Sequence, residues 1–142
     1  VAIVAAAAVT AAGESVRFKQ SEAARRFAER RERENAAPRL HAEIPSLTAL
    51  DLTVKEHRAD APAEETTHVR RVVITSAPAL FEIPCGDPSC EGGGHEVTSS
   101  ILRALRAGQT AFAVEDVCHG SVAGGHSCRR VLTIAAKAKY EA

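Results

Sequence analysis

Four cysteines form the set of side chains in this sequence whose types and spacing suggest a defined chemistry. They fall in two pairs, Cys85-Gly-Asp-Pro-Ser-Cys90 and Cys118-His-Gly-Ser-Val-Ala-Gly-Gly-His-Ser-Cys128, with four residues between the first two and nine between the second two. Zinc takes four soft or borderline ligands in a tetrahedron, and two loops that each contribute a pair of thiolates are a common way to supply them. Both stretches are rich in glycine, which lets a backbone turn tightly enough to bring sulfurs together. The expectation is a structural zinc site with Cys85, Cys90, Cys118 and Cys128 as ligands. Its competitors are two disulfides, for which four cysteines allow three connectivities, and four free thiols with no joint role. A variant of the zinc reading replaces one or two cysteines by His95, His119 or His126.

Catalytic readings of the same residues are weaker. A catalytic zinc keeps an open position for water and a base nearby. Glu91, Glu96 and Glu115 are near in sequence, but the His-x-Glu and Cys-x-x-Cys signature of nucleobase deaminases does not occur, because His95 is followed directly by Glu96. A nucleophilic cysteine needs a lowered thiol pKa, and Glu91 and Glu96 would oppose one at Cys90. Gly92-Gly93-Gly94 precedes a helical segment, yet no Lys-Ser/Thr follows and no GxGxxG is present, so phosphate-loop and dinucleotide-binding readings fail. His41, His57 and His68 stand isolated among polar residues, where solvent exposure is expected. The chain therefore reads as more in keeping with a binding module than with an enzyme.

The elements that must position the cysteines follow from periodicity. Residues 14–37 read as a charged helix, with Glu22/Arg26, Arg25/Glu29, Glu29/Arg33 and Arg30/Glu34 as opposite-charge pairs four apart, Ser21 as an N-cap, and Asn35 and Pro38 ending it. Its apolar stripe is short: Val16, Ala23, Ala24, Phe27 and Ala28. Leu50 to Val54 alternates as a half-buried strand, and Val69 to Thr75 reads as its hairpin partner. Lys55 to Thr67, interrupted by Pro62 and dominated by charged and small residues, reads as a long loop between them. Val97, Ile101, Leu102 and Leu105 fall at helical spacing, predicting a helix over Glu96–Ala107 with Gly108 just beyond its end. Thr110 to Val117 and Arg129 to Tyr140 read as two further strands, and the Cys118–Cys128 segment connects them.

The sum is an α+β fold: an N-terminal apolar start and charged helical arm over residues 1–43, then a domain over 44–142 with a small antiparallel sheet of about four strands and one packed helix, pinned by the four-cysteine zinc site. Only 4% of the 142 residues are aromatic and much of the 45% apolar content is alanine, so the core is expected to be thin. A thin core is where a metal or disulfide adds most.

Lys plus Arg equal Asp plus Glu at 18 each, which removes any whole-chain basic field for nucleic acid. The arginines of the arm leave a nucleic-acid-binding accessory role as an alternative, but interleaved glutamates favour a solvated helix or one that engages a protein partner or a second copy of the chain. The alanine- and arginine-rich composition is that of a high-GC bacterial genome. The apolar opening, residues 1–12, is short of the ~20 residues that span a bilayer, so no membrane role is expected. It reads as a strand, an alanine-rich helix or the remnant of a secretory signal. The last would make this an exported, disulfide-stabilised domain, whereas a cytoplasmic chain would keep thiolates and metal.

Overall fold

The computed structural model describes residues 24–142. Residues 24–36 are helical (α1); the expected residues 14–23 of that helix, its Ser21 cap and the apolar opening lie outside the described residues. Two of the foreseen ion pairs form along α1, Arg25–Glu29 and Arg30–Glu34, each at 3.9 Å. Phe27 is 53% exposed, and the guanidiniums of Arg30 and Arg31 sit 5.7 and 5.9 Å from its ring centre, so its one large apolar side chain is capped by cations. The chain divides into two compact units at Ala37/Pro38.

The second unit is α+β. A single turn of helix, α2 (Leu40–Glu43), leads into β1 (Leu47–Arg58) and β2 (Ala61–Val72). Two short ribbon strands, β3 (Glu82–Ile83) and β4 (His95–Glu96), precede α3 (Thr98–Arg106). Then come β5 (Ala111–Val117), a small hairpin of β6 (Ser121–Val122) and β7 (His126–Ser127), and β8 (Val131–Tyr140). The main sheet has the order β2-β1-β8-β5 with every pairing antiparallel. The expected four-stranded antiparallel sheet with a helix on one face is present.

The core lies on one face. Leu50, Leu52 and Val54 of β1 and Leu132, Ile134, Ala136 and Ala138 of β8 are buried at alternate positions, as the period-2 side-chain pattern requires. Ile101, Leu102 and Leu105 of α3, together with Leu40, Ile44, Phe81 and Val97, complete the same apolar cluster. Alpha-3 stops in a Schellman arrangement: Gly108 takes φ +71° and donates to the Leu105 carbonyl, while Gln109 N–H reaches back to Ala104. The other face carries exposed Ala111, Ala113 and Ala135 and the 72% exposed Val69.

Two expectations are corrected. The segment Lys55–Thr67 is no loop: β1 runs on to Arg58, pairs Arg58 with Ala61, and returns at once as β2. The sequence hid this because residues 62–71 of β2 are exposed on both faces, so no alternation marks the strand, and Pro62 is tolerated because β2 is a sheet edge. The helix expected over Glu96–Ala107 starts two residues later. Glu96 instead pairs with Glu82 in the β3–β4 ribbon, and its Oε1 accepts from the Thr98 amide at 2.8 Å, serving the helix start from outside it.

Candidate metal centre

The β3–β4 ribbon frames the Cys85–Cys90 loop, because Ile83 pairs with His95 across its base. The β6–β7 hairpin, paired through Ser121–Ser127 and Val122–His126, lies between Cys118 and Cys128. The two loops are laced together by a reciprocal pair of backbone bonds, Glu91 N–H to Ser121 O at 2.8 Å and Ser121 N–H to Glu91 O at 2.9 Å. Around the second pair, Cys118 N–H donates to Arg130 O, Arg129 N–H to Cys118 O, and Cys128 N–H to Gly120 O. Arg129 holds φ +52°, a left-handed conformation for a non-glycine residue, directly after Cys128.

These loops bring all four sulfurs within 4.8 Å of one another. Two pairs are in direct contact, Cys85–Cys128 at 3.5 Å and Cys90–Cys118 at 3.6 Å. Neither is a disulfide, whose sulfurs stand about 2.05 Å apart, and all four thiols are free. Glycine makes the approach feasible at two positions. A methyl group on Gly93 would run into the sulfurs of Cys118 and Cys90, and one on Gly120 would meet the Cys90 sulfur and the Gly93 Cα, 2.7 Å away. The two glycines thus face each other beneath the sulfurs.

The electrostatics of the bare cluster favour a cation. Burial pushes the Cys90 thiol up to about 11, and burial likewise raises Cys85, with neighbouring thiols adding to both. Cys118 is also pushed upward by burial, but the amides of Gly94 and Gly120 and the surrounding thiols outweigh that and lower it overall. The Gly94 amide lies 3.3 Å from the Cys118 sulfur and the Asp87 amide 3.5 Å from the Cys85 sulfur, so backbone donors already point at sulfurs that would carry negative charge. Four thiolates this close repel one another unless a cation sits among them. The donor set, its spacing and its amide donors fit a thiolate-bound metal ion.

The histidines stand elsewhere. His119 and His126 are exposed. His95 is fully buried, and its Nδ1 donates to Asp116 Oδ2 at 2.8 Å while its Nε2 faces Glu56 Oε2 at 3.5 Å with no hydrogen-bond partner. Of the three isolated histidines, His41 and His68 are exposed as expected and His57 is half-buried. Glu91, Glu96 and Glu115 are exposed.

One feature of the site is invisible in the cysteine spacing: a polar network beneath the loops. Glu56, 6% exposed, binds Arg130 Nε and accepts from the Gly86 amide at 2.9 Å. Its bond to Glu56 raises the Arg130 guanidinium further above its ordinary range. Asp116, Leu132 and Glu56 lie in one cross-strand row on the core face, and His95 sits near both carboxylates, hydrogen-bonded to Asp116. The signal that could have found them is the stripe itself, since Leu50-Leu52-Val54 continues in phase to Glu56, and Phe112-Val114 continues to Asp116. A carboxylate that extends a buried stripe needs a buried partner.

Compared with models of protein families, with curated proteins and with solved structures, the chain finds no match.

Proposed function

We propose that Cys85, Cys90, Cys118 and Cys128 hold one structural zinc ion, and that the chain is a non-enzymatic, metal-stabilised binding or adaptor domain of the bacterial cytoplasm. One observation carries the reading: all four sulfurs lie within 4.8 Å of one another, with Cys85–Cys128 at 3.5 Å and Cys90–Cys118 at 3.6 Å, against the roughly 3.8 Å edge of a tetrahedron with zinc–sulfur bonds of about 2.3 Å. The ion would draw both loops onto it and supply positive charge for four thiolates. With four protein ligands no position is left for water or substrate, which argues for a structural rather than a catalytic centre.

Unpaired thiols in close contact favour a reducing compartment. Among the described residues no helix is long and apolar enough to cross a membrane. The binding element of this reading is the arm, whose cation-capped Phe27 and arginine-rich surface offer a protein partner or a second copy an aromatic anchor within a charged rim.

Metal analysis of the full chain purified without added zinc tests the metal part. About one equivalent of zinc, lost in a Cys118→Ser variant, is the expected result; a metal-free protein of unaltered stability would end this reading. Size-exclusion chromatography with light scattering, comparing the chain with a Phe27→Ala variant, tests the arm. A dimer that the variant abolishes supports self-association, a monomer that retains a copurifying protein through Phe27 supports a partner, and salt-sensitive binding to DNA or RNA instead would favour the nucleic-acid alternative.

A further inference from the structure

We propose that the four-sulfur site is a redox switch, in which a peroxide converts the thiolates to two disulfides of fixed pairing, Cys85–Cys128 and Cys90–Cys118, and expels the metal. The inference rests on the metal reading above and assigns that site its regulation.

The pairing follows from geometry. Two sulfur pairs in direct contact, at 3.5 and 3.6 Å, fall between the loops and share no cysteine. Each pair must close by only about 1.5 Å to reach bonding distance. The backbone need not separate for this, because the Glu91–Ser121 bonds and the facing Gly93 and Gly120 already hold the loops together. Bonds within a loop, Cys85–Cys90 or Cys118–Cys128, would instead leave the loops tied only by backbone contacts. Access is asymmetric: Cys118 is 1% exposed, whereas Cys85, Cys90 and Cys128 are half-buried. A peroxide therefore reaches Cys90 first in one pair, and Cys85 or Cys128 in the other.

The chemistry balances within each pair. A thiolate sulfur attacks a peroxide oxygen, breaking the O–O bond to give a sulfenic acid and hydroxide, as expected of a thiolate on the oxidation ladder. The partner thiolate then attacks that sulfur, forms the S–S bond and releases the second hydroxide. Two electrons pass from two sulfurs to one peroxide molecule, so two peroxides oxidise all four cysteines. A disulfide sulfur no longer carries the charge that holds a divalent cation, and the ion leaves unchanged in oxidation state. A dithiol reductant returns four thiols by exchange and is itself oxidised. Because both new bonds cross between the loops, the oxidised domain keeps its fold while losing its metal.

The test uses the full chain, loaded with zinc and titrated with hydrogen peroxide, with a chromogenic chelator following released metal and non-reducing peptide mapping following the bonds. The expected result is one zinc released per chain at about two equivalents of peroxide, only the Cys85–Cys128 and Cys90–Cys118 peptides, and recovery of metal binding after dithiothreitol and zinc. A Cys85→Ser variant should still form Cys90–Cys118 with about one equivalent. Retention of the metal, dominant within-loop disulfides, or sulfinic acids in place of disulfides would overturn the switch. Should the chain bind no zinc at all, the metal reading fails and the switch with it, while the disulfide map of that metal-free chain still decides the pairing separately.

Discussion

The two ends of the buried sheet face are made differently. At the helix-covered end Leu50, Leu52, Ile134 and Ala136 meet Ile101 and Leu105 in a single apolar cluster, where burial alone, at about 25 cal/mol per Å² of apolar surface, does the work. At the loop-covered end β1 and β5 present Glu56 and Asp116 to His95 and Arg130, and the cover consists of the glycine-rich loops that carry the four cysteines. Loops with so few apolar side chains gain little by burial, so at this end order must come from ion pairs, backbone lacing and, in the proposed reading, a metal. One end is stable through its side chains; in the proposed reading the other is conditional on what its cysteines bind.

The sharpest way to break that contrast is to remove the metal. In small metal-dependent domains zinc binding supplies on the order of 10 kcal/mol of folding free energy, so a strong chelator, or Cys118→Ser, should lower the urea midpoint more than any core truncation. Hydrogen exchange should show the loss first in residues 85–95 and 118–130, and later in β1 and β8.

Ile134→Ala should cost about 2–5 kcal/mol, the usual range for such a truncation in a packed core. Its effect on denaturant midpoint should be the same with and without chelator, because its neighbours are apolar. Glu56→Gln should cost about 1.5–3 kcal/mol, since it takes the charged partner from the half-buried Arg130. Unlike Ile134→Ala, it should also weaken metal retention, because a neutral amide oxygen holds the Gly86 amide, next to Cys85, less strongly than the Glu56 carboxylate does. A double-mutant comparison in which Glu56→Gln and chelation simply add would show that the polar network and the cysteine loops are independent.

Smaller in free energy but more diagnostic is proton release. With burial raising Cys85 and holding Cys90 at about 11, these thiols are protonated at neutral pH and must lose their protons to bind metal. Calorimetry of zinc binding in buffers of different ionisation enthalpy should report release of at least about two protons at pH 7, from Cys85 and Cys90, with a smaller share from Cys118, whose thiol is lowered. For the metal-free domain the sign is the opposite of a carboxylate's. Thiols raised in the folded state lend stability below their unfolded pKa and withdraw it as pH rises through the folded one, so the apo form should weaken progressively in alkali.

What the sequence made legible follows the same division. The apolar end was readable, since the alternation in Leu50–Val54 and Leu132–Tyr140, the helical spacing of Ile101, Leu102 and Leu105, and Gly108 each report local geometry directly. The meeting of the cysteine loops was readable as a consequence, once the helix and the last two strands were in place. Beta-2 escaped because a strand exposed on both faces has no pattern to show. The Glu56–His95–Asp116–Arg130 network escaped because its members are scattered along the chain and become neighbours only through strand register, and His95 in particular reads from the sequence as a substitute ligand.

The central claim is that four sulfurs surround one metal ion. X-ray absorption at the zinc edge of the metal-loaded chain measures this directly. The account predicts a single shell of four sulfurs at about 2.3 Å. A shell with nitrogen or oxygen in place of sulfur, or a chain that retains no metal to measure, would contradict it.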